Sequence, residues 1–508
     1  MNLGPEWKGY QRNKQEVIKR LKRGQYEMIS GNGVGLMDRF FAFMREVGFL
    51  DAMEQVEGQG YERVMIPVAK LLLSYQSKIL LGIAHMNQVP DLLFREIGIL
   101  RLIGFTARQI QEGYCDRGAD KRVGPFHKDT LADALDQLGA EEVEGLLNQT
   151  VGLLAGGGFF SGKRLKVILD ASDLETTEGY EGVGQKTVEK RIKDKRGRVQ
   201  RIEVTVYGWK LIMLQEVETR MVVAAKVVAI NEHESNYTLA LIEQGQKNLV
   251  GSGQQIGMVV MDKGFLDGED LWALDQRGIG FVVPAKKGMQ VTQDAQGFRG
   301  QTQDRQYLCY EEQQVKHKGQ KVLTQVYGIK ELSSYDQYGD EVHRKQRYAK
   351  GFEPHPINAV VVTQWKGEPY EPGKERVFLS NLRVNKPLER IGEYDERSDI
   401  ENLGFRELKQ GWLIGTFPKK TKAAVLAHIL LTLVVFNLAN AFRTDRGYSL
   451  GDKGIRRFRR EEMGRDMIHK VIVFAGQWYA ILDVEELMVI LGVPPTTFFR
   501  INPKEVAF

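Results

Sequence analysis

Leu165-Lys166-Val167-Ile168-Leu169-Asp170 and Ile256-Gly257-Met258-Val259-Val260-Met261-Asp262 are two short apolar runs that each stop at an aspartate. Runs of this length, rich in β-branched side chains, read as buried strands. Between them lie two more strand-like segments, residues 202–215 and 220–230, joined through a polar turn at 216–219 as antiparallel neighbours are. Residues 237–248 then carry helical spacing. After Asp262 a helix is expected over about 267–276, followed by the strand Gly280-Phe281-Val282-Val283-Pro284. The predicted order is therefore βββ-α-β-α-β.

That order is the one used by the ribonuclease-H-like fold, in which three antiparallel strands are extended by parallel ones flanked by helices. It sets the ends of the first and fourth strands side by side, so Asp170 and Asp262 face a common point although 92 positions separate them. Converging carboxylates suit hard divalent cations, and two such ions about 4 Å apart can clamp the attacking and leaving oxygens of a phosphoryl transfer. Alone, an aspartate at a strand end is more commonly a turn former or a helix cap. Asp173 is the nearest substitute for Asp170. His233, between Glu232 and Glu234, reads as part of a loop that starts a helix and is left out of the metal set.

Working outward, a chain of 508 residues exceeds what one hydrophobic core usually organises. Residues 34–160 show apolar positions at helical spacing, and Gly156-Gly157-Gly158 marks a junction. The expected layout is an α/β chain with five parts. Residues 1–160 form an all-helical N-terminal region, either a DNA reader or a plain scaffold, and 161–288 the first part of the core. Residues 289–388, rich in Gln, Lys and Gly, form an inserted β-rich subdomain. Residues 389–445 complete the core with a helix bearing Glu401 and a buried apolar helix, and 446–508 form a basic, helical C-terminal region.

Residues 423–442, AAVLAHILLTLVVFNLANAF, are long and apolar enough to raise the question of a membrane span. His428, Asn437 and Asn440 interrupt the run, and a central core helix is the expectation. The first 28 residues are polar and basic without the apolar stretch of an export signal. Cys115 and Cys309 give neither a disulfide framework nor a zinc-ligand spacing, so a reducing cytoplasm is expected. With 71 basic against 66 acidic side chains the overall charge is too mild to imply a polyanionic partner, and local clusters must decide.

Two clusters stand out. Residues 186–201, KTVEKRIKDKRGRVQR, suggest a hairpin whose Lys190, Arg191, Lys193, Lys195 and the arginines flanking Gly197 reach phosphates, with a solvated loop as the alternative. Arg456-Arg457-Phe458-Arg459-Arg460 mixes an aromatic with cations in the manner of backbone-binding segments, and a charge run facing water is again the alternative. The most informative constellation is IGEYDERSDIENLGFRELKQGW, residues 391–412. Tyr394, Arg397 and Glu401 stand at i−7, i−4 and i, which on a helix puts an acid, a guanidinium and a phenol on one face. An ordinary exposed pair between Glu401 and Arg397 or Arg406 is the plainer reading.

Taken together, ILDASDLETT around Asp170, VYGWKLIML at 206–214, VAINEHES at 228–235, VVMDKGFLD around Asp262 and YDERSDIENLGFRELK ending at Lys409 resemble the YREK-signature DDE transposases, insertion-sequence enzymes of the IS-four type. The resemblance covers most of the chain. It implies Asp170, Asp262 and Glu401 as catalytic ligands of two Mg²⁺ or Mn²⁺ ions, with Tyr394, Arg397 and Lys409 positioning the DNA end. It also implies cut-and-paste chemistry on double-stranded DNA, element ends and target alike, through a hairpin in some relatives, and a homodimer on DNA with no membrane partner. The family pattern is Y-x2-R-x3-E-x6-K, whereas seven residues separate Glu401 from Lys409 here, and Arg406 competes for the role. Two other classes share the same acids: a ribonuclease-H-fold nuclease or resolvase without strand transfer, and a non-catalytic DNA-binding derivative.

Overall fold

The computed structural model describes residues 10–31, 37–58, 65–114, 124–193, 199–299, 308–317, 320–365, 375–445 and 470–493. It is a mixed α/β chain that divides into two compact units, one made of Met1–Thr150 with Glu407–Phe508 and the other of Val151–Arg406.

The second unit is built on a ten-stranded sheet. Its strands are β1 (Arg164–Thr176), β2 (Gly184–Lys193), β3 (Val199–Glu216), β4 (Val222–Ala229), β5 (Gln255–Met261), β6 (Gly280–Pro284), β7 (Leu308–His317), β8 (Gln320–Leu332), β9 (Ile357–Trp365) and β10 (Arg376–Ser380). Their order across the sheet is β2-β3-β1-β5-β6-β10-β9-β8-β7, with β4 pairing the remaining stretch of β3. The helices Thr238–Asn248 and Gly268–Gln276 occur where the sequence predicts them, and the order found is ββββ-α-β-α-β, the predicted order with β2 added between its first two strands.

β1, β5 and β6 run parallel, and Val167, Ile168, Leu169, Val259, Val260, Met261, Phe281, Val282 and Val283 are all buried. Uninterrupted apolar runs of this kind are what a strand covered on both faces requires. β3 is much longer than its neighbours, and β2 and β4 lie end to end along one of its edges, β2 ending at Gly184↔Gly208 and β4 beginning at Trp209↔Ala229. Gly208 must be a glycine, since a Cβ there would stand 2.2 Å from the Leu174 carbonyl oxygen.

The strands of the segment expected as an inserted β-rich subdomain continue the same sheet. β10 pairs antiparallel with β6 through Phe378↔Pro284, Leu379↔Val283 and Ser380↔Val282, and β9, β8 and β7 follow it outward. The physical reason is the bare edge of β6, whose backbone donors and acceptors need partners. Val360, Val362, Phe378 and Val282 then share one cluster with Val384 and Ile391 of the following segment.

In the first unit the apolar segment is the 24-residue helix Lys422–Asp445, long and apolar enough by composition to cross a membrane but 94% buried over its most apolar window. It packs against the helices Met37–Glu46, Val68–Leu80 and Asp129–Leu138, with Phe442 edge-on to Phe40 and Phe43. His428, its interrupting imidazole, is buried and bonded through Nδ1 to the Tyr75 hydroxyl at 2.8 Å. Burial holds that imidazole down at about 3, so it stays neutral. The grouping of 389–445 as one core-completing segment therefore divides between the units, because this helix is apolar all round and finds its cover among helices.

Two further expectations are corrected here. The N-terminal region is not all-helical, for Gln11–Arg12 and Met28–Gly31 are strands. The C-terminal region is not all-helical either, for Lys470–Ala475 and Trp478–Asp483 form a hairpin before the helix Val484–Ile490. These four strands make one small sheet, in which the alternation of the C-terminal hairpin buries Val473, Ala475, Ala480 and Leu482 against Val17 and Leu21. The basic cluster at 456–460 lies outside the described residues.

Candidate active site

The register of β1 with β5 carries the geometry. Leu169 pairs with Met261 in parallel, so the next residues, Asp170 and Asp262, stand alongside each other on strands about 4.8 Å apart. Asp170 is still within β1 and almost fully buried, whereas Asp262 has left β5 and caps the short turn Lys263–Phe265. Asp173 is excluded as a substitute by parity: an odd number of steps along a regular strand puts it on the opposite face, where Lys186 Nζ holds it at 2.5 Å.

Glu401 arrives from a helical stretch that the sequence reads as one helix. It is broken instead into Pro387–Asp395, Arg397–Asp399 and the π-wound turn Ile400–Phe405. Single π-turns inside helices occur frequently at functional sites. Tyr394, Arg397 and Glu401 nevertheless act together. Arg397 Nη2 donates to Glu401 Oε1 at 2.9 Å, and the guanidinium lies 5.7 Å from the centre of the Tyr394 ring. Tyr394 itself packs on Phe378 of β10, ring centres 4.6 Å apart.

Arg397 is the hinge of the charges. Its Nη1 donates to Asp170 Oδ2 at 2.7 Å, while the Ala171 backbone N–H donates to Asp170 Oδ1 at 2.8 Å. Burial pushes the Asp170 carboxyl up to about 6, Arg397 and the Ala171 N–H pull it back, and the negative charges of Asp262 and Glu401 raise it further. Burial works against the charge on Arg397, but Asp170, Tyr394, Asp262 and Glu401 outweigh it and hold the guanidinium firmly protonated. Its Nε is buried without a hydrogen-bond partner among the described residues, a donor still to be satisfied.

Among the described residues no three His, Cys, Asp or Glu side chains are grouped closely enough to hold a metal ion. The reason is visible in the contacts: the Arg397 fork bridges Asp170 and Glu401, a cation held between anions. The donor set itself fits a hard divalent ion, with three carboxylates feeling one another electrostatically around a single guanidinium. Asp170, Arg397 and Glu401 are thus brought together directly and Asp262 by register.

Lys409 is on the helix Arg406–Gln410, whose residues from Glu407 onward belong to the first unit. Lys190 is on β2, with Nζ 2.9 Å from Glu175 Oε2. Arg191 and Lys193 occupy β2 positions opposite Arg201 and Val199, so the basic segment does form the arms of a hairpin, and Lys195 and the arginines flanking Gly197 lie outside the described residues.

The sequence reading missed two features. Lys166 on β1 reaches Glu396 at 2.9 Å and ties the strand to the segment that carries Arg397. Beside Asp262 and Tyr394 opens a cleft of about 890 Å³, lined also by Lys263, Lys286, Lys287 and Arg376. The Pro284-Ala285-Lys286-Lys287-Gly288 stretch directly after β6 is the signal that could have pointed to it.

Residues 161–438, more than half of the chain, match the family described as Transposase DDE domain. The chain belongs to the DDE transposase family. The matched span contains Asp170, Asp262, Tyr394, Arg397, Glu401 and Lys409. No curated protein matches this family member significantly. Among solved structures it is similar to a piggyBac transposase, seen in a cryo-EM synaptic complex with hairpin DNA, at 10% identity over 84% of this chain and 78% of that one. The TM-score of 0.36 makes that a loose likeness.

Proposed function

We propose that this DDE transposase is an insertion-sequence enzyme of the YREK type, which cleaves DNA at the ends of its element and joins the freed 3′ hydroxyl to target DNA. The strand order β4-β3-β1-β5-β6, antiparallel at first and then parallel, supports a ribonuclease-H-like core. The observation that carries the reading is the meeting of Asp170, held beside Asp262 by strand register, with Arg397, which also bonds Glu401.

Asp170, Asp262 and Glu401 would hold two Mg²⁺ or Mn²⁺ ions, whose chemistry when bound is to activate a water or hydroxyl and to neutralise charge on the leaving oxygen. The protein's own groups do the rest. Arg397 offers a planar fork that phosphate oxygens accept as readily as carboxylates do, with its Nε donor still unused. The Tyr394 phenol, held by Phe378 and the guanidinium, would donate to the same DNA end. Lys166, paired with Glu396, keeps the Arg397 segment against β1. Two element ends have to be processed together, which suits a homodimer on double-stranded DNA in a bacterial cytoplasm.

The test is to incubate the purified chain with duplexes of the terminal repeats that flank its gene, in Mg²⁺, and to compare it with Asp262→Ala. Cleavage by the parent and its loss in the variant are expected, with joined products separating a transposase from a simple nuclease. Equal cleavage by the variant would remove Asp262 from the site and the reading with it.

A further inference from the structure

We propose that the cleft beside Asp262 seats the phosphates of one DNA strand next to the bond being cut, through Lys263, Lys286, Lys287 and Arg376. This rests on the transposase reading above and adds to it a binding surface on the sheet extension.

The argument begins with charge. Two further acids line the cleft, and each already has a cation. Glu234 is bonded to Lys210 at 2.6 Å, and the nearly buried Glu375 to Arg299 at 2.5 Å. The four basic side chains on the wall are different. Lys263, Lys286 and Lys287 have no acidic partner among the described residues, and Arg376 lies over the Phe378 ring at 5.7 Å, with Asp395 near enough to feel its charge. Among the described residues, four cations therefore face a cleft in which Asp262 alone is an acid without a direct cationic partner. An array of like charges in one concave wall repels itself and focuses its field outward, an arrangement that a polyanion relieves.

Placement narrows the ligand. Lys286 and Lys287 occupy the loop leaving β6, Arg376 opens β10, and Lys263 follows Asp262 directly, so three different elements of one sheet converge on the wall. All four side chains are exposed, free to reach a ligand. A volume of about 890 Å³ is of small-molecule scale and takes a nucleotide strand, not a duplex cross-section. Because Asp262 and Tyr394 share the lining, a strand held here leads straight to the acids. Lysines serve as point charges for phosphate and carry no sequence preference, so the cleft would hold any strand presented by the element end.

The experiment measures binding of a fluorescent terminal-repeat duplex to the full chain in EDTA, between 50 and 200 mM NaCl. Each phosphate contact contributes about 0.9 to the slope of log affinity against log salt. Lys286→Gln with Lys287→Gln is expected to lower that slope by about 2 and Arg376→Gln by about 1, with thermal midpoints unchanged since the side chains are exposed. Lys247→Gln with Lys350→Gln, equal in charge change and at exposed residues that do not line the cleft, should leave the slope as in the parent. A parent that binds the duplex with a slope the Lys286/Lys287 variant shares overturns the cleft proposal alone. A parent that does not bind the duplex at all overturns the transposase reading and this proposal together.

Discussion

The middle of β1 and the end of β5 carry the same sequence signal, an apolar run that stops at an aspartate, and deliver it into different surroundings. β1 runs on through Asp170 to Thr176, and Asp170 is buried, with one oxygen on a backbone N–H and the other on Arg397. At the end of β5, Asp262 has turned out of the strand and borders an open cleft walled with lysines. One carboxylate is thus paired with a guanidinium inside the protein and the other borders open space. Two adjacent strands can supply a single site with an inner and an outer acid, and the difference comes from whether the strand ends before or after the aspartate.

The largest effect tests whether the two are equal partners in the chemistry. Asp170→Ala and Asp262→Ala should each reduce cleavage of a terminal-repeat duplex on the order of 10³-fold, since losing a metal ligand forfeits several kcal/mol of transition-state stabilisation. Single-turnover rates in Mg²⁺ measure this. A variant of either acid within about tenfold of the parent would break the comparison, leaving the site to its neighbour.

The next effect separates them by stability. The Asp170 carboxyl is raised to about 6 in the folded chain, chiefly by burial, against an unfolded value near the ordinary 3.8. Below about pH 4 both states are protonated and ionisation costs the fold nothing. Between about 4 and 6 the unfolded chain ionises and the folded one resists, so stability is lost as pH rises, and above 6 the deficit is constant. Relative to the parent in EDTA, Asp170→Asn should therefore gain stability across that window, reaching roughly 1–3 kcal/mol at pH 7. Asp262→Asn, at a half-buried side chain that stands outside the strand, should move the midpoint little. Denaturant midpoints at pH 4 and pH 7 read the difference, and a flat profile for Asp170→Asn would remove the inner-acid assignment.

Much of this was legible beforehand because it is written in short-range pattern. The βββ-α-β-α-β order follows from runs such as Leu165–Leu169 and from the turn at 216–219, both of which encode their own geometry locally. The apolar helix Lys422–Asp445 could likewise be read as a core element from its composition, but not which core, since a helix apolar on every side carries no direction. The pairing of β10 with β6 was hidden because an edge is completed by a distant partner, Pro284 against Phe378 at one end, and nothing in either strand names the other. The π-turn at Ile400–Phe405 was invisible too. It takes up one residue more than an α-turn, and it falls within the interval where the Glu401 to Lys409 spacing exceeds the family pattern by one. Arg397 was recognised as a phosphate group, whereas its bond to Asp170 depends on a β-strand 227 positions earlier.

A smaller effect concerns that bond. If the guanidinium occupies the place of a cation between Asp170 and Glu401, it competes with any ion that the acids take up. Arg397→Ala should then bind Mn²⁺ more tightly than the parent in the absence of DNA, on the order of tenfold, or about 1.4 kcal/mol. The same variant should bind the terminal-repeat duplex less well, having lost a forked phosphate donor. Titration calorimetry with Mn²⁺ alone distinguishes the two roles, and an unchanged or weaker Mn²⁺ affinity would mean that Arg397 only supports the acids.

The smallest effect asks whether position along β1 matters as much as the contrast between Asp170 and Asp262 requires. Asp173 is three residues beyond Asp170 and also has a cation, Lys186 at 2.5 Å, but both side chains are about one-third exposed and on the opposite face. An ion pair so open to water contributes little, within about 1 kcal/mol, because solvent screens it and the long lysine loses freedom in forming it. Asp173→Asn should therefore shift the denaturant midpoint barely and leave the cleavage rate within about twofold of the parent. If it instead abolished cleavage as Asp170→Ala is expected to, alternation along the strand would not be selecting the ligand, and the burial that sets Asp170 apart would have no bearing on the chemistry.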